Sequence, residues 1–143
     1  MFSPNGDPDQ RLREWRELRH RQHDSRFSVV QEFAQLKPQQ RYIDYYTPSN
    51  WPNPFEIVRR GEFDVSGISL IIAATLVHKG FVNTDELEFD VISSHIDGAT
   101  GLFFRHETEY FNFVPGEVNT LQFVRDNGTK FDTHCVSYEQ LMK

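Results

Sequence analysis

A single cysteine, Cys135, is all the thiol chemistry this chain of 143 residues holds. That excludes a disulfide within the chain and any cysteine-built zinc or iron–sulfur site, and makes a reducing compartment the expectation. Glycine-rich phosphate loops are missing as well: neither G-x-G-x-x-G nor G-x-x-x-x-G-K-[ST] occurs, so nucleotide chemistry has no backbone cradle. The longest apolar run, Ile68 to Val77, is about half of what a bilayer crossing needs. Met1 to Pro8 lacks a basic segment followed by an apolar one. No membrane span and no secretory signal are expected. An excess of positive charge is also absent, since 15 Lys and Arg face 21 Asp and Glu for a net charge of −6. An acidic surface repels phosphate backbones and anionic membranes, which argues against both as partners of the whole domain.

Aromatic residues are abundant. Thirteen Phe, five Tyr and two Trp supply the large buried areas that a core of this size requires. Charge is unevenly spread: residues 1–40 carry seven basic and six acidic side chains, residues 41–143 carry eight and fifteen. The expectation is a basic helical arm over 1–40 and an α+β domain over 41–143. Asp7 or Asp9 can cap a helix that Pro8 helps to start, and Leu12, Trp15 and Leu18 then form a narrow apolar stripe. Phe27, Val30, Phe33 and Leu36 continue at helical spacing until Lys37-Pro38. An aromatic beside several arginines has the composition of an interface anchor, so Arg11, Trp15, Arg16 and Arg19 are expected to meet a partner.

Four prolines between 38 and 54 make the next stretch a loop, whose aromatics, Tyr42, Tyr45, Tyr46, Trp51 and Phe55, should pack on the core or offer contacts. A helix from Asp64 or Ser66 to Lys79, closed by Gly80, is apolar nearly all round and therefore buried on several sides. Leu87, Phe89 and Val91 then alternate with acidic residues, the pattern of a strand with one wet face. Leu102 to His106 and Tyr110 to Val114 follow as strands, and Asn127-Gly128 predicts a hairpin returning through Lys130 to Val136. Helices first and strands later give an α+β fold, a buried central helix packed on an antiparallel sheet with the N-terminal arm beside it.

The segments Trp51 to Val58, Gly61 to Asp64, Ser69 to Leu76 and Tyr110 to Val118 together resemble small bacteriophage-encoded proteins with a papain-like or transglutaminase-like core. The resemblance spans residues 51–118. It implies an acyl-transfer site in which Cys stands at the start of the buried helix and His and Asp or Asn on the following strands. This sequence places Asp64 at that helix start, where the ordinary role of a carboxylate is capping. Ser66 and Ser69 are nearby hydroxyls, His95 and His106 fall at strand ends from which a base could reach them, and Asn112 is the remaining polar candidate. His20 and His23 sit three apart without a third ligand, so no metal and no cofactor is expected.

Because the nucleophile is missing, the expectation is a non-catalytic structural or interaction protein, which the resemblance places in a phage virion or assembly. It would dock on other protein subunits through the arm and through Tyr45, Trp51 and Phe55, in the host cytoplasm or the virion. Two alternatives stand beside it. One is a hydrolase or acyltransferase of papain or transglutaminase type using Asp64, Ser66, His95, His106 or Asn112. The other is an acidic inhibitor or regulator of a host protein.

Overall fold

In the computed structural model, residue 2 and residues 6–39 and 44–143 are described; Tyr42 of the expected aromatic loop lies outside the described residues. Helix α1 (Pro8–His20) starts where its sequence says it should, with the Asp7 carboxylate accepting from the Gln10 amide at 2.7 Å and Pro8 at the first helical position. Helix α2 (Arg26–Gln31) is held by a Ser25–Ser28 capping box. A 3-10 turn at Pro48–Asn50 precedes α3 (Pro54–Arg60), a helix in the stretch expected to be loop. Its signals are all present: the Asn53 side chain caps it, Pro54 opens it, and Gly61 closes it with a left-handed φ of 70°. Prolines at the ends of a short helix resemble prolines in a loop when counted together.

Helix α4 (Val65–His78) is the centre of the fold, with eleven consecutive buried residues from Ser66 to Leu76. Leu70, Ile71, Ile72 and Leu76 are completely enclosed, so truncating any of them to alanine would cost about 2–5 kcal/mol. Five strands form one antiparallel sheet in the order β4-β3-β2-β1-β5, from β1 (Glu86–Ser94), β2 (Thr100–His106), β3 (Glu109–Phe111), β4 (Val118–Thr120) and β5 (Gly128–Ser137). Leu87, Phe89, Val91, Leu102, Phe104 and Phe111 face α4 and join its apolar cluster. The α+β architecture, a buried helix on an antiparallel sheet, is as the sequence pattern indicates.

Two local departures have physical causes. Helix α5 (Leu121–Asn127) replaces the strand that should have led into Asn127-Gly128, and β5 pairs with β1 instead of forming a hairpin there. Thr120 caps α5 by accepting from the Phe123 amide at 3.1 Å, and Val124 then covers the second sheet face with Ile92, Phe103, Tyr110 and Phe113. The face of β1 expected to be wet is consequently covered at Asp90, which is fully buried, whereas Glu86 stays exposed and Glu88 partly so. Helix α6 (Tyr138–Leu141) ends the chain.

Residues expected to form a separate arm join the main core. Trp15, Leu18, Val29, Val30 and Phe33 are completely buried in the same cluster as α4. The apolar stripe of α1 therefore faces inward.

Candidate active site

The N-terminus of α4, the β1–β2 turn and the chain around Tyr45 enclose a cleft of about 590 Å³. Asp64 and Val65 come from the start of the helix, Asp97 to Thr100 from the turn, Tyr45 from the third side, and Pro38 and Gln39 from one end. The Gln39 amide donates to the Phe63 carbonyl at 2.7 Å, which ties that end to the residue just before the helix cap. A neighbouring trough of about 470 Å³ shares Gln39 and runs between Phe2, Leu36, Gly61 and Phe63. The two depressions share Gln39 as a lining residue.

Asp64 is 5 % exposed and its Oδ1 accepts from the Gly67 amide at 2.6 Å, so it is the N-cap of α4. The positive end of the helix dipole faces the cleft beside it. Asp97 stands on the opposite wall, where its Oδ1 accepts from the Ala99 amide at 3.0 Å and shapes the turn. Tyr45 donates its hydroxyl to the Thr100 carbonyl at 3.3 Å. Asp64, largely buried, lines the cleft with Asp97, Tyr45 and Thr100 at the end of a helix dipole.

The remaining sequence candidates are not brought into this arrangement. Ser66 is 1 % exposed, and its Oγ accepts from the Leu102 amide at 2.9 Å, which pins α4 to β2. Gly101 is the reason they approach so closely, since a Cβ there would sit 2.8 Å from Ser66 Oγ. Ser69, equally buried, has no hydrogen-bond partner among the described residues and does not line the cleft. His95 is exposed and directed to the far side, its Nε2 lying 2.7 Å from Thr129 Oγ1. His106 stands at the opposite end of β2 from Gly101, five residues and about 17 Å along the strand. Asn112, with a φ of 66°, accepts from the Gly116 amide at 2.7 Å and organises the turn after β3. Ser66, His95, His106 and Asn112 thus form no catalytic group; only Asp64 remains at the cleft.

The expected partner-binding residues are also redistributed. Arg11 is buried and spends its guanidinium on the carbonyls of Gly6, Val58 and Arg59. Trp15 lies in the core, Arg19 stacks 4.2 Å above its ring, and Phe55 closes the stack edge-on at the surface. Arg16 is exposed. Trp51 packs on Phe89 and His134 while its indole donates to the Asp44 carbonyl at 3.1 Å. Tyr45 belongs to the cleft. Cys135 is exposed on β5, and burial and the carboxylates of Glu88 and Glu86 push its thiol pKa up, which makes it a poor nucleophile.

Sequence reasoning missed Asp97, Thr100 and Gly101. Asp97-Gly98 announces a turn, but nothing local says that this turn faces the helix cap; the sheet register does that. Among the described residues no group of three or more His, Cys, Asp or Glu is placed to hold a metal ion.

No family model matches the sequence, and no curated protein does. Solved structures do share its fold. Legionella pneumophila LapG, calcium-bound, superposes with a TM-score of 0.65 at 17% identity, over 94% of this chain and 82% of that one. Another LapG structure gives 0.67 at 17% identity, over 94% and 80%. The EGTA-treated form gives 0.66 at 18% identity, over 91% and 75%. The expectation of a phage structural component is corrected by this likeness, which is to LapG of Legionella pneumophila. The likeness spans nearly the whole chain, N-terminal helices included, and the fold of this protein is transglutaminase-like.

Proposed function

We propose that this protein is a hydrolase of acyl bonds that acts on an extended peptide laid across the N-terminus of α4. The observation that carries the proposal is the pair of carboxylates, Asp64 and Asp97, on opposite walls of one cleft at a helix N-terminus. The fold supports it, because papain-like and transglutaminase-like architectures do their acyl chemistry at the start of the buried helix. Among the described residues that line the cleft there is no thiol, serine or imidazole, and water is the proposed nucleophile. One carboxylate accepts the proton that water loses as it attacks the carbonyl carbon. That carboxylate returns the proton to the departing amine as the C–N bond breaks, and the second carboxylate helps to orient the attacking water. The helix dipole favours the negative charge that develops on the carbonyl oxygen. An extended chain is the proposed substrate, because a second trough borders the cleft at Gln39.

The test is hydrolysis of a mixed fluorogenic peptide library by the wild type and by Asp64→Asn and Asp97→Asn. Asparagine caps a helix or a turn about as well as aspartate, so both variants keep the backbone geometry and lose only the acid–base group. The expected result is cleavage by the wild type that falls on the order of a hundredfold in each variant. No cleavage across the library, or cleavage indifferent to both substitutions, overturns the proposal.

A further inference from the structure

On the sheet face away from α4, a second cavity of about 300 Å³ opens between the strands and α5. Its size is at the lower end for small-molecule sites. Ile92, Leu121 and Val124 give it an apolar floor, and Arg105, Arg125 and Lys130 all border it. Three cations around one apolar hollow stand out in a chain whose net charge is −6.

The cations are placed by a buried carboxylate. Asp90, 0 % exposed, accepts from the Tyr110 hydroxyl, from Arg105 Nε at 3.0 Å and from Thr133 Oγ1 at 2.7 Å. Lys130 Nζ stands 3.6 Å from the same carboxylate. Burial, followed by the hydrogen bond to Asp90, pushes the Tyr110 phenol well above its ordinary pKa, so it remains a fixed donor. Arg105 also pairs with Glu88 at 2.5 Å. Arg125 makes no polar contact among the described residues. The local sum is three positive groups against two carboxylates, with Asp90 already accepting three hydrogen bonds.

The strand itself is bent to bring Lys130 in. Thr133 lies opposite Asp90, so regular alternation would set Phe131 opposite Ile92. The register instead slips between Val91 and Ile92, and Lys130 takes that place while Phe131 is 59 % exposed. A bulge that places a lysine over an apolar floor and sends a phenylalanine into solvent works against simple burial and suits ligand recognition.

We propose that this cavity binds a small molecule in which an oxyanion, carboxylate or phosphate, is joined to a compact apolar group. The apolar group lies on Ile92, Leu121 and Val124, and the oxyanion meets Arg125 and Lys130 at the mouth, where charge-assisted hydrogen bonds are strong and Arg can bind in a fork. The cavity is on the opposite face of the sheet from the cleft of α4 and is independent of any hydrolysis there.

Calorimetric titration of the full chain with 3-phenylpropionate, phenyl phosphate and the neutral 3-phenylpropanol tests this. Arg125→Ala and Lys130→Ala are the variants, because neither side chain belongs to the apolar core. The expected result is saturable binding of at least one anion, weakened by about tenfold in each variant and by added salt, with no binding of the alcohol. The stronger of the two anions identifies the oxyanion that the site takes. Absence of binding for both anions, equal binding of the alcohol, or unchanged affinity in both variants overturns the proposal.

Discussion

The indole N–H of Trp15 on α1 donates to the hydroxyl of Thr75 on α4 at 3.0 Å, and both residues are completely buried. Thr75 in turn donates to the Ile71 carbonyl at 2.7 Å, so one hydroxyl fills both of its roles inside the core. The N-terminal helix is thereby bonded to the central one, with Leu18 packed beside it. Removing residues 1–26 would expose the apolar flank of α4 and leave Thr75 without its donor, and the truncated chain is expected to be insoluble or molten. Thr75→Val keeps the shape and strands the indole, at a cost of about 1–3 kcal/mol. Urea unfolding measures both, and a soluble cooperative truncation would show that α1 is dispensable.

Arg11 is the second tie of that helix. Its Nε donates to the Val58 carbonyl at 2.9 Å and its two terminal nitrogens to Gly6 and Arg59, each at 2.5 Å, so it satisfies the last carbonyls of α3. A Cβ on Gly61 would lie 2.6 Å from the guanidinium carbon, in a backbone conformation with φ of 70°. Lysine cannot reproduce three donors in one plane. Arg11→Lys is expected to lower the unfolding free energy by about 2 kcal/mol, and Gly61→Ala to lower it further. A urea midpoint for Arg11→Lys equal to wild type would count against the fork.

Local signals were enough for α1, α4 and β1, because caps, periodicity and glycine stops agree there. Asp7 and Asp64 cap the helices that the sequence assigns to them. What the sequence hid was pairing at a distance. Glu88 and Asp90 alternate with apolar residues as on a solvated face, yet α5 and the donors of Tyr110, Arg105 and Thr133 bury Asp90. Asn127-Gly128 has hairpin chemistry, but β5 pairs with β1, thirty or more residues earlier, and the local turn preference is overridden. Half of the cleft was legible in Asp64; Asp97 was not, since only the fold of β1 onto β2 carries it to the helix.

A histidine contact makes stability depend on pH. The rings of His20 and His78 meet edge to face with centroids 5.4 Å apart where α1 crosses the end of α4. Burial, then the charges of Arg19, His20 and Lys79, hold the His78 pKa below its ordinary 6.5. The unfolded chain then binds the proton more readily than the folded one, so stability is full above about pH 6.5 and declines as pH falls toward the folded pKa. The urea midpoint should drop between about pH 7.5 and about pH 5.5, and the drop should be smaller in His78→Gln. An identical pH dependence in the variant would remove His78 from the account.

Ser66 and Gly101 give the sharpest separation of structural from chemical roles at the helix start. Ser66 Oγ is the acceptor for the Leu102 amide, and Ser66 does not line the cleft. Ser66→Ala should therefore cost about 1–2 kcal/mol and leave peptide cleavage unchanged. Gly101→Ala should cost a similar amount, because the new methyl, 2.8 Å from the hydroxyl, must push it off the amide. Both substitutions remove the same hydrogen bond, and once Ser66 is alanine the 2.8 Å contact is gone, leaving the milder one to Val65 Cγ1 at 3.3 Å. The double variant is then expected to be about as stable as either single one, a coupling near the full value of one effect. Additive losses would mean that the two residues act separately, and loss of cleavage in Ser66→Ala at full stability would return the hydroxyl to the chemistry.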